Sequence, residues 1–594
     1  MTEAHYSSPA THALYVQLGE SKTETASLDI CARLILAIFD DFYAELCNYP
    51  WQAKKAFEQM DPNALVKISH ERLGLYSSYI RIHGPKIQSQ FPALSENEPL
   101  WDVLDKQFAD LIDARYEADI AFAFAHSIRR NICHVVWRPV AYSFQKSGKD
   151  RGLSSARAQQ RFVLNGKIDR KIFLSALQLP RFKAPYRDLH ADVTSVVTRL
   201  EALTADELDI ANAVAIEFIE AGFFRDHMAV LVGRFEFTNG SYQPVALVMH
   251  NSPNGIYVDA LLHQTSDLHN LFSSTLANFH VTNELYYQVC VFLASTMPLR
   301  PLGLNYSTIG FNHVGKVAIL DDIHKQSKIA NQHFTSSPGA DGTVDIGFTF
   351  EKCSYHLKVI RDKPTASYKW GDFAGVNAVL DKYRTVHEIN RTGSMVDNVL
   401  YFNLQLSRDL FDEDLLENLV QFAPGSVQLE TDYVFFRCLI VQLKIIPLPV
   451  YFEQANDDQI DAVMNNLGHC IKNNIAANIF NKDLDARNYG VGRYGKVFLF
   501  DYDALEKLTD IEISTNVGLE DGEEDVPDWF FSDKFVFLPE ELESGLQINS
   551  RYARRCFRET HSDLLTKEYW LDAQRRLQRS EVIELAMYPS SRKL

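Results

Sequence analysis

The residues whose types and spacing invite chemistry are concentrated in one run, Lys482-Asp483-Leu484-Asp485-Ala486-Arg487-Asn488. A β-type stretch, KVFLF, comes next, and Asp501-Tyr502-Asp503 follows it directly. Phosphoryl transfer needs one carboxylate beside the attacking hydroxyl. It also needs an amide and a second carboxylate that hold a divalent ion against the nucleotide phosphates. Asp483 and Asn488 form an Asp-x4-Asn step, and Asp501 lies thirteen residues beyond Asn488, past the strand. Protein kinases place their catalytic loop and magnesium-binding Asp in this order. Their His-Arg before the first Asp is replaced here by Asn481-Lys482, and their Phe-Gly after the second by Tyr502-Asp503. Alone, Asp-x4-Asn also reads as a plain turn, because Asp and Asn are common turn and capping residues.

A second group lies upstream. Between two strand-like runs sits Ser336-Ser337-Pro338-Gly339-Ala340-Asp341-Gly342-Thr343, whose glycines allow a backbone to approach a phosphate and turn its N–H groups inward. After the VDIGFTF run and a tight turn comes Lys358 in HLKVI, a strand position from which an ammonium reaches α- and β-phosphates. Taken singly, the loop is any hairpin connection and Lys358 a solvated strand lysine. Glycine loop, strand lysine, Asp-x4-Asn and strand-Asp in one order form a nucleotide site that accident seldom produces.

The elements that must position these groups fall into two halves. The first two hundred residues carry mostly helical periodicity: Ser27 to Leu46, Asp61 to Ile80, and Phe108 to Ile128, where Leu111, Ala114, Ala118, Ala121, Ala125 and Ile128 share one face. A helix is also expected over Ala205 to Ala221, opened by Thr204 with Glu207 three residues on. A small antiparallel sheet is expected from AVLVGRFEF, PVALVMH and IYVDALL, separated by Asn239-Gly240 and Asn251-Ser252-Pro253-Asn254-Gly255. A second β-rich zone begins near Lys328 with KIANQHFT, VDIGFTF and SYHLKVI, and helices return over Gly375 to Asn390 and Asn456 to Asn478. The change of pattern puts a boundary near residue 325.

Composition narrows the function classes. The chain has 594 residues, 59 Lys+Arg against 77 Asp+Glu, a net charge of −18 and 46% hydrophobic residues. The length permits up to about four folding units. The acidic balance argues against sequence-independent nucleic-acid binding, which needs surplus cations. The 8 cysteines show no metal-ligand spacing, so buried thiols in a reducing compartment are expected. His250, His263, His269 and His280 form no HExxH-type set and read as structural or surface residues. The amino terminus lacks a signal peptide's basic and apolar regions, and no apolar run is long enough to span a bilayer. A soluble cytoplasmic protein is the expectation.

The sequence resembles the bacterial isocitrate dehydrogenase kinase/phosphatase family. The resemblance is carried by SSPGADGTV with Lys358 in LKVIRDK, by HEINRTGSMVD, by IPLPVYFEQ and by AANIFNKDLDARNYGVGRYGKVFLFDYD. It extends weakly to AFEQMDPNALVKISHERLGLY, AVLVGRF and IGFNHVGK in the helical half. It implies an α+β chain: an α-rich N-terminal regulatory domain with a small β insertion (1–325), then a divergent bilobal protein-kinase-like domain (326–594, lobes meeting near 445). By the same resemblance, Ser337, Pro338, Gly339, Ala340, Asp341, Gly342, Thr343 and Lys358 bind ATP or ADP. Asp483 accepts the substrate proton, Asn488 and Asp501 hold Mg2+ or Mn2+, and Asp503 is an additional acid. Arg487 stands where the family usually has Lys and offers a cation to the transferring phosphate. Asp397 in GSMVD is the acid of the phosphatase reaction.

The implied substrate is NADP-dependent isocitrate dehydrogenase, inactivated by phosphorylation of an active-site serine and restored by its removal. That sets flux between the citric acid cycle and the glyoxylate bypass. AMP is the implied effector, acting near the domain junction, and a homodimer through the helical half is implied. Two departures stand out. Gln442-Leu443-Lys444 replaces the family's Glu-Arg-Arg, and ISTNVGLEDGEEDVPDWFF replaces its proline-rich stretch after Asp503. The second leaves open a kinase-only enzyme acting on another protein. A nucleotide-sensing scaffold would be marked by loss of Asp483, Asn488 or Asp501, and all are present.

Overall fold

The computed structural model describes residues 7–133, 157–164, 166–273, 279–337, 344–365, 375–389, 393–502, 504–516 and 532–594. Helix Glu24–Glu58 starts at Thr23, whose side chain accepts the Ala26 N–H, and helix Pro62–Gln90 starts at Asp61, which accepts from Ala64. These caps satisfy amides that the first helical turn leaves unpaired. Phe42, Tyr76 and Phe124 meet where these helices pack against helix Ala118–Ile132, with ring centroids 5.3–5.4 Å apart. Edge and offset packing of such rings adds to the burial of their area.

Three sequence expectations give way to tertiary context. The single helix over Phe108 to Ile128 is two helices, Glu98–Ile112 and Ala118–Ile132. In the break, Arg115 pairs with Asp40 and Glu117, and Tyr116 packs edge-on against Tyr286. Leu111 is consequently exposed while Ala118 to Ile128 are buried on all sides. The expected helix over Ala205 to Ala221 is mainly a strand, Ala213–Ile219. Glu207 does accept the Thr204 N–H at 3.0 Å, but the turn stops there. The β-branched and aromatic residues of AVAIEFI are used between two antiparallel neighbours. The Lys328-Ile329-Ala330 part of KIANQHFT ends helix Asn312–Ala330, closed by Asn331 at φ 48, and only Thr335–Ser336 is strand.

The sheet of the N-terminal half is larger than its three sequence runs suggested. It has seven strands, built on the antiparallel set Ala213–Ile219, Met228–Phe237, Tyr242–Ser252 and Gly255–Leu262. The Asn239-Gly240 turn falls between the second and third of these, with Gly240 at φ 78, a conformation glycine adopts without strain. The architecture is α+β, a helical N-terminal half carrying this sheet followed by a second sheet-containing half.

That second half has two cores. One lies on a six-stranded antiparallel sheet ordered Asn398–Ser407, Tyr433–Leu443, Tyr355–Ile360, Asp345–Thr349 and Thr335–Ser336, with Val427–Leu429 paired to Tyr433–Leu443. The other surrounds helix Asp457–Ala476, opened by an Asn456/Gln459 capping box, and holds Phe480, Phe537 and Trp570. The halves are stitched together: Lys316 Nζ donates to the Leu400 carbonyl, and the Tyr401 hydroxyl donates to the Lys316 carbonyl. Beyond helix Lys567–Gln578 the chain returns to the first half, where Leu585 and Met587 join its core.

Helix Asp457–Ala476 approaches the His561 ring so closely that Gly468 is the residue the contact allows. A Cβ there would stand 2.1 Å from His561 Cδ2, and the imidazole is buried with Nε2 near the Asn465 carbonyl. Helix propensity alone favours alanine by about 1 kcal/mol. Overpacking opposes it by about 1–3 kcal/mol. Gly468→Ala should therefore lower stability in urea titrations; a variant as stable as the parent would show that the ring yields without cost.

Candidate active site

The Asp-x4-Asn loop is held by its own polar side chains. Strand Ile479–Asn481 pairs with Leu505–Lys507, and Asn481 Oδ1 accepts the Asp483 N–H at 3.0 Å. Asp485 then caps the single turn Ala486–Asn488, accepting the Arg487 N–H at 2.8 Å. Asn488 Nδ2 donates to the Asp483 carbonyl at 2.8 Å. With the amide nitrogen so engaged, the part of the Asn488 side chain left to act on a ligand is its acceptor oxygen. An amide oxygen beside a carboxylate is the donor type that Mg2+ accepts.

Asp501 reaches the same place through a hairpin. Tyr489 pairs with Leu499 in strands Tyr489–Val491 and Val497–Leu499, and the Phe500 N–H donates to the Asn488 carbonyl at 3.0 Å. Asn488 and Asp501 therefore share one hairpin end. Asp397 comes alongside by a different route. Met395 bridges Leu499 in parallel sense; the Val396 N–H donates to the Leu499 carbonyl, and the Leu499 N–H to that of Ser394. The parallel pairing stops there, so it brings Asp397, two residues beyond Met395, and Asp501, two beyond Leu499, onto adjoining segments. The Tyr502 hydroxyl donates to the Val396 carbonyl and locks the arrangement.

Lys358 occupies a buried position in strand Tyr355–Ile360, 3.1 Å from Asp345 on the neighbouring strand. Burial alone lowers an ammonium's pKa, but the Asp345 carboxylate outweighs it, with Asp501 adding to the effect, and Lys358 is held above its ordinary value. Its Nζ also lies 5.8 Å from the centroid of the Phe500 ring, next to Asp501 in sequence. Ser337 follows the edge strand of the same sheet, its N–H donating to the Gly347 carbonyl and its hydroxyl 3.0 Å from His356 Nε2. Pro338, Gly339, Ala340, Asp341, Gly342, Thr343 and Asp503 lie outside the described residues. So does the acidic run from Glu520 to Asp525. Arg487 folds back on Asp485 at 2.7 Å, with 74% of its side chain exposed.

Sequence reasoning missed the partners. Asp345 is a diagonal neighbour of Lys358 in the antiparallel hairpin, since Ile360 pairs with Asp345 and Lys358 with Gly347; a register drawn on VDIGFTF and SYHLKVI would have found it. No sequence signal pointed to the cations near Asp397. A small cleft is lined by Ser273 and Leu304 of the first half and by Tyr355, Asp397 and Phe498 of the second. Arg300, buried, and Lys496, half-buried, lie near it, and both are drawn electrostatically to Asp397. Burial, with Arg225 and Arg300 nearby, pushes Lys496 down to about 7. Its ammonium donates to the Asn270 carbonyl and the Ser273 hydroxyl, so it joins the two halves.

Comparison with known proteins follows the same division. Residues 332–590 match the model of the isocitrate dehydrogenase kinase/phosphatase kinase domain, and residues 32–331 that of its regulatory domain. The chain belongs to the isocitrate dehydrogenase kinase/phosphatase family. Relatives of that name include one from Rhodopseudomonas palustris (strain TIE-1), 40% identical over 95% of this chain and 92% of its own length. Another, from strain HaA2 of that species, is 40% identical over 95% and 93%. One from Anaeromyxobacter sp. (strain Fw109-5) is 26% identical over 95% and 97%. Members of the family are thus matched along both halves of the chain. No helix among the described residues is long and apolar enough to cross a membrane.

The Lys358–Asp345 pair gives a test of the site's electrostatics. Asp345→Asn leaves a buried ammonium without its carboxylate and should cost about 3–5 kcal/mol, whereas Asp345→Leu with Lys358→Met should recover most of it. The pKa of Lys358 is raised in the fold, so its contribution is fully present below the unfolded value of 10.5 and is lost only as pH rises through the folded one. Without Asp345, burial alone lowers the Lys358 pKa, so the loss measured in urea titrations should be greatest at about pH 7 and shrink toward about pH 9 as the variant's lysine gives up its proton. A loss that grew toward the higher pH would contradict this pairing.

Proposed function

We propose that the chain is a bifunctional protein serine kinase and phosphatase that phosphorylates isocitrate dehydrogenase and removes the phosphate again. The observation that supports it most is the hairpin Tyr489–Leu499, which carries Asn488 and Asp501 at one end and is bridged at Leu499 by Met395, two residues before Asp397. A kinase constellation and the acid assigned to phosphate removal then share one nucleotide site. The matched relatives are named for both activities and for this substrate.

In the forward direction Asp483 accepts the proton of the substrate serine hydroxyl as its oxygen attacks the γ-phosphorus. Asn488 and Asp501 would hold Mg2+ or Mn2+, which when bound neutralises charge across the β- and γ-phosphate oxygens. Lys358 reaches the α- and β-phosphates from its strand, with Ser337 and the following glycine loop covering them. Arg487 meets the transferring group if released from Asp485, and Asp503 is an additional acid. In reverse, Asp397 positions and deprotonates a water for attack on phosphoserine, giving serine and inorganic phosphate. Lys496 and Arg300 sit where they stabilise the charge that this develops.

The regulatory domain spans about 1–325 and the catalytic domain about 326–594, with its sheet and helical cores as two lobes around the nucleotide. AMP acts at the junction of the halves, where the buried Arg225 and Arg300 and the half-buried Lys496 gather three cations. A nucleotide phosphate has reason to bind there, and linkage requires that it favour one arrangement of the halves over another. A cytoplasmic homodimer completes the reading.

The test is incubation with Mg-ATP and purified NADP-dependent isocitrate dehydrogenase. Dehydrogenase activity should fall as phosphate is incorporated, and AMP should restore it. Absence of both the activity loss and the phosphate incorporation would refute the proposal. Asp483→Ala should reduce phosphorylation by about 10²–10⁴-fold. Asp397→Ala should spare phosphorylation and impair its reversal by a similar factor; equal loss of both would remove its separate role.

A further inference from the structure

Outside the catalytic site, one cluster brings together residues that no part of the proposed reaction uses. His227 sits in the turn between strands Phe223–Arg225 and Met228–Phe237, and His250 lies on strand Tyr242–Ser252 opposite Met228. Their rings stack with centroids 4.9 Å apart. Glu584 arrives from more than three hundred residues away, on the C-terminal tail. One ligand atom from each of the three lies within 4.8 Å of the others. His250 reads as structural from sequence spacing because its companions are remote in the chain. The fold supplies what the spacing does not show.

We propose that His227, His250 and Glu584 form a binding site for a zinc-class divalent cation that clasps the C-terminal tail to the sheet of the regulatory half. Two imidazoles and a carboxylate are a borderline donor set, suited to Zn2+ rather than to Mg2+ or Ca2+. His227 Nε2 stands 3.2 Å from Glu584 Oε1. Two ligands on bonds of about 2.0–2.1 Å around a tetrahedral ion are about 3.3–3.4 Å apart, so little movement is needed to admit one. His227 Nδ1 is 2.9 Å from Asp226 Oδ2. An outer carboxylate of this kind fixes the tautomer that turns Nε2 toward a metal. His250 Nε2 lies 2.8 Å from the Tyr588 hydroxyl, which donates to Asp259 Oδ2 at 2.8 Å, so a second carboxylate orients the second ring.

The electrostatics already favour a cation at this point. Burial lowers the His227 pKa, but hydrogen bonds to Asp226 and Glu584 outweigh it and push the group up to about 9. Bonding to His227 brings Glu584 down to about 2. A divalent ion would take the place of that proton. The groups facing the cluster are Asp226, Tyr257, Asp259, Tyr588, Lys593 and, over the Tyr257 ring, Arg187; the two cations among them oppose a metal ion.

What the ion would join is visible in the tail's other bonds. Ala586 exchanges hydrogen bonds with the Asn473 side chain of helix Asp457–Ala476, 2.9 Å and 3.2 Å long, while Leu585 and Met587 are buried in the core of the first half. Glu584 therefore lies on a strap touching both halves.

The experiment uses tag-free, full-length protein stripped with a chelator and supplied with ZnCl2 alone. Bound metal is measured by mass spectrometry and affinity by competition with a chromophoric chelator. One tightly bound equivalent per chain is expected. Glu584→Gln and His227→Gln should each weaken it by about 10–100-fold. Hydrogen exchange of residues 581–594 should slow when Zn2+ binds. Glu584 is 69% exposed, so its variant keeps the test open if the His227 variant folds poorly. No bound equivalent, affinity unchanged in the Glu584 variant, or zinc bound with no change in tail exchange would each overturn the proposal.

Discussion

The active centre depends on one short stretch of parallel backbone pairing. Ser394 to Val396 run beside Leu499 through two N–H···O=C bonds, which bring the segment bearing Asp397 to the hairpin that precedes Asp501. Acids gathered at one site repel, so backbone bonds must hold the segments that carry them. The segment is secured on its other side as well. Asn473 donates to the Ser394 hydroxyl, and the Cys470 thiol lies against the Ser394 carbonyl. A helix interior, a hairpin and a loop thus converge on three residues.

Around this pairing the chain manages a charge problem that its composition poses. With a net charge of −18, anionic nucleotides are repelled by the molecule as a whole. The cations that matter are buried or half-buried and specifically partnered: Lys358 with Asp345, Lys496 with Asn270 and Ser273, Arg300 with Asn305 and Thr308. Burial strengthens each interaction by lowering the local dielectric and screening less by salt. A few enclosed positive charges then dominate the field inside a cleft even when the outer surface is negative.

Much of this was legible in the sequence where local signals and tertiary demands agree. The Asp483 to Asn488 loop was readable because its polar side chains satisfy their own backbone. The hairpins at Asn239-Gly240 and Gly255 were readable because turn chemistry fixes register. Sequence reading failed where long-range packing decided. Ala213–Ile219 has an opening that suits a helix, yet two antiparallel neighbours claim its apolar residues. The stripe from Leu111 to Ile128 reads as one helix, but Asp40 and Tyr286, distant in sequence, engage Arg115 and Tyr116 where the chain breaks. Asp397 read only as an acid in a polar turn, since its segment joins that of Asp501 only once Met395 meets Leu499. The cations beside it come from both halves, and no local pattern encodes such a meeting.

The returning tail also bears on how the molecule is made. Strand Gly255–Leu262 pairs on one side with Tyr242–Ser252, and on the other Lys593 bridges Ala260 while the Leu594 N–H donates to the Asp259 carbonyl. During synthesis that edge emerges long before its cover. At about 5–20 residues per second, the final residues leave the ribosome tens of seconds after the strand they protect. An uncovered edge offers unpaired N–H and C=O groups to any other chain nearby. The nascent protein is thus most exposed to wrong partners while its N-terminal half is folded and its last residues are still unmade.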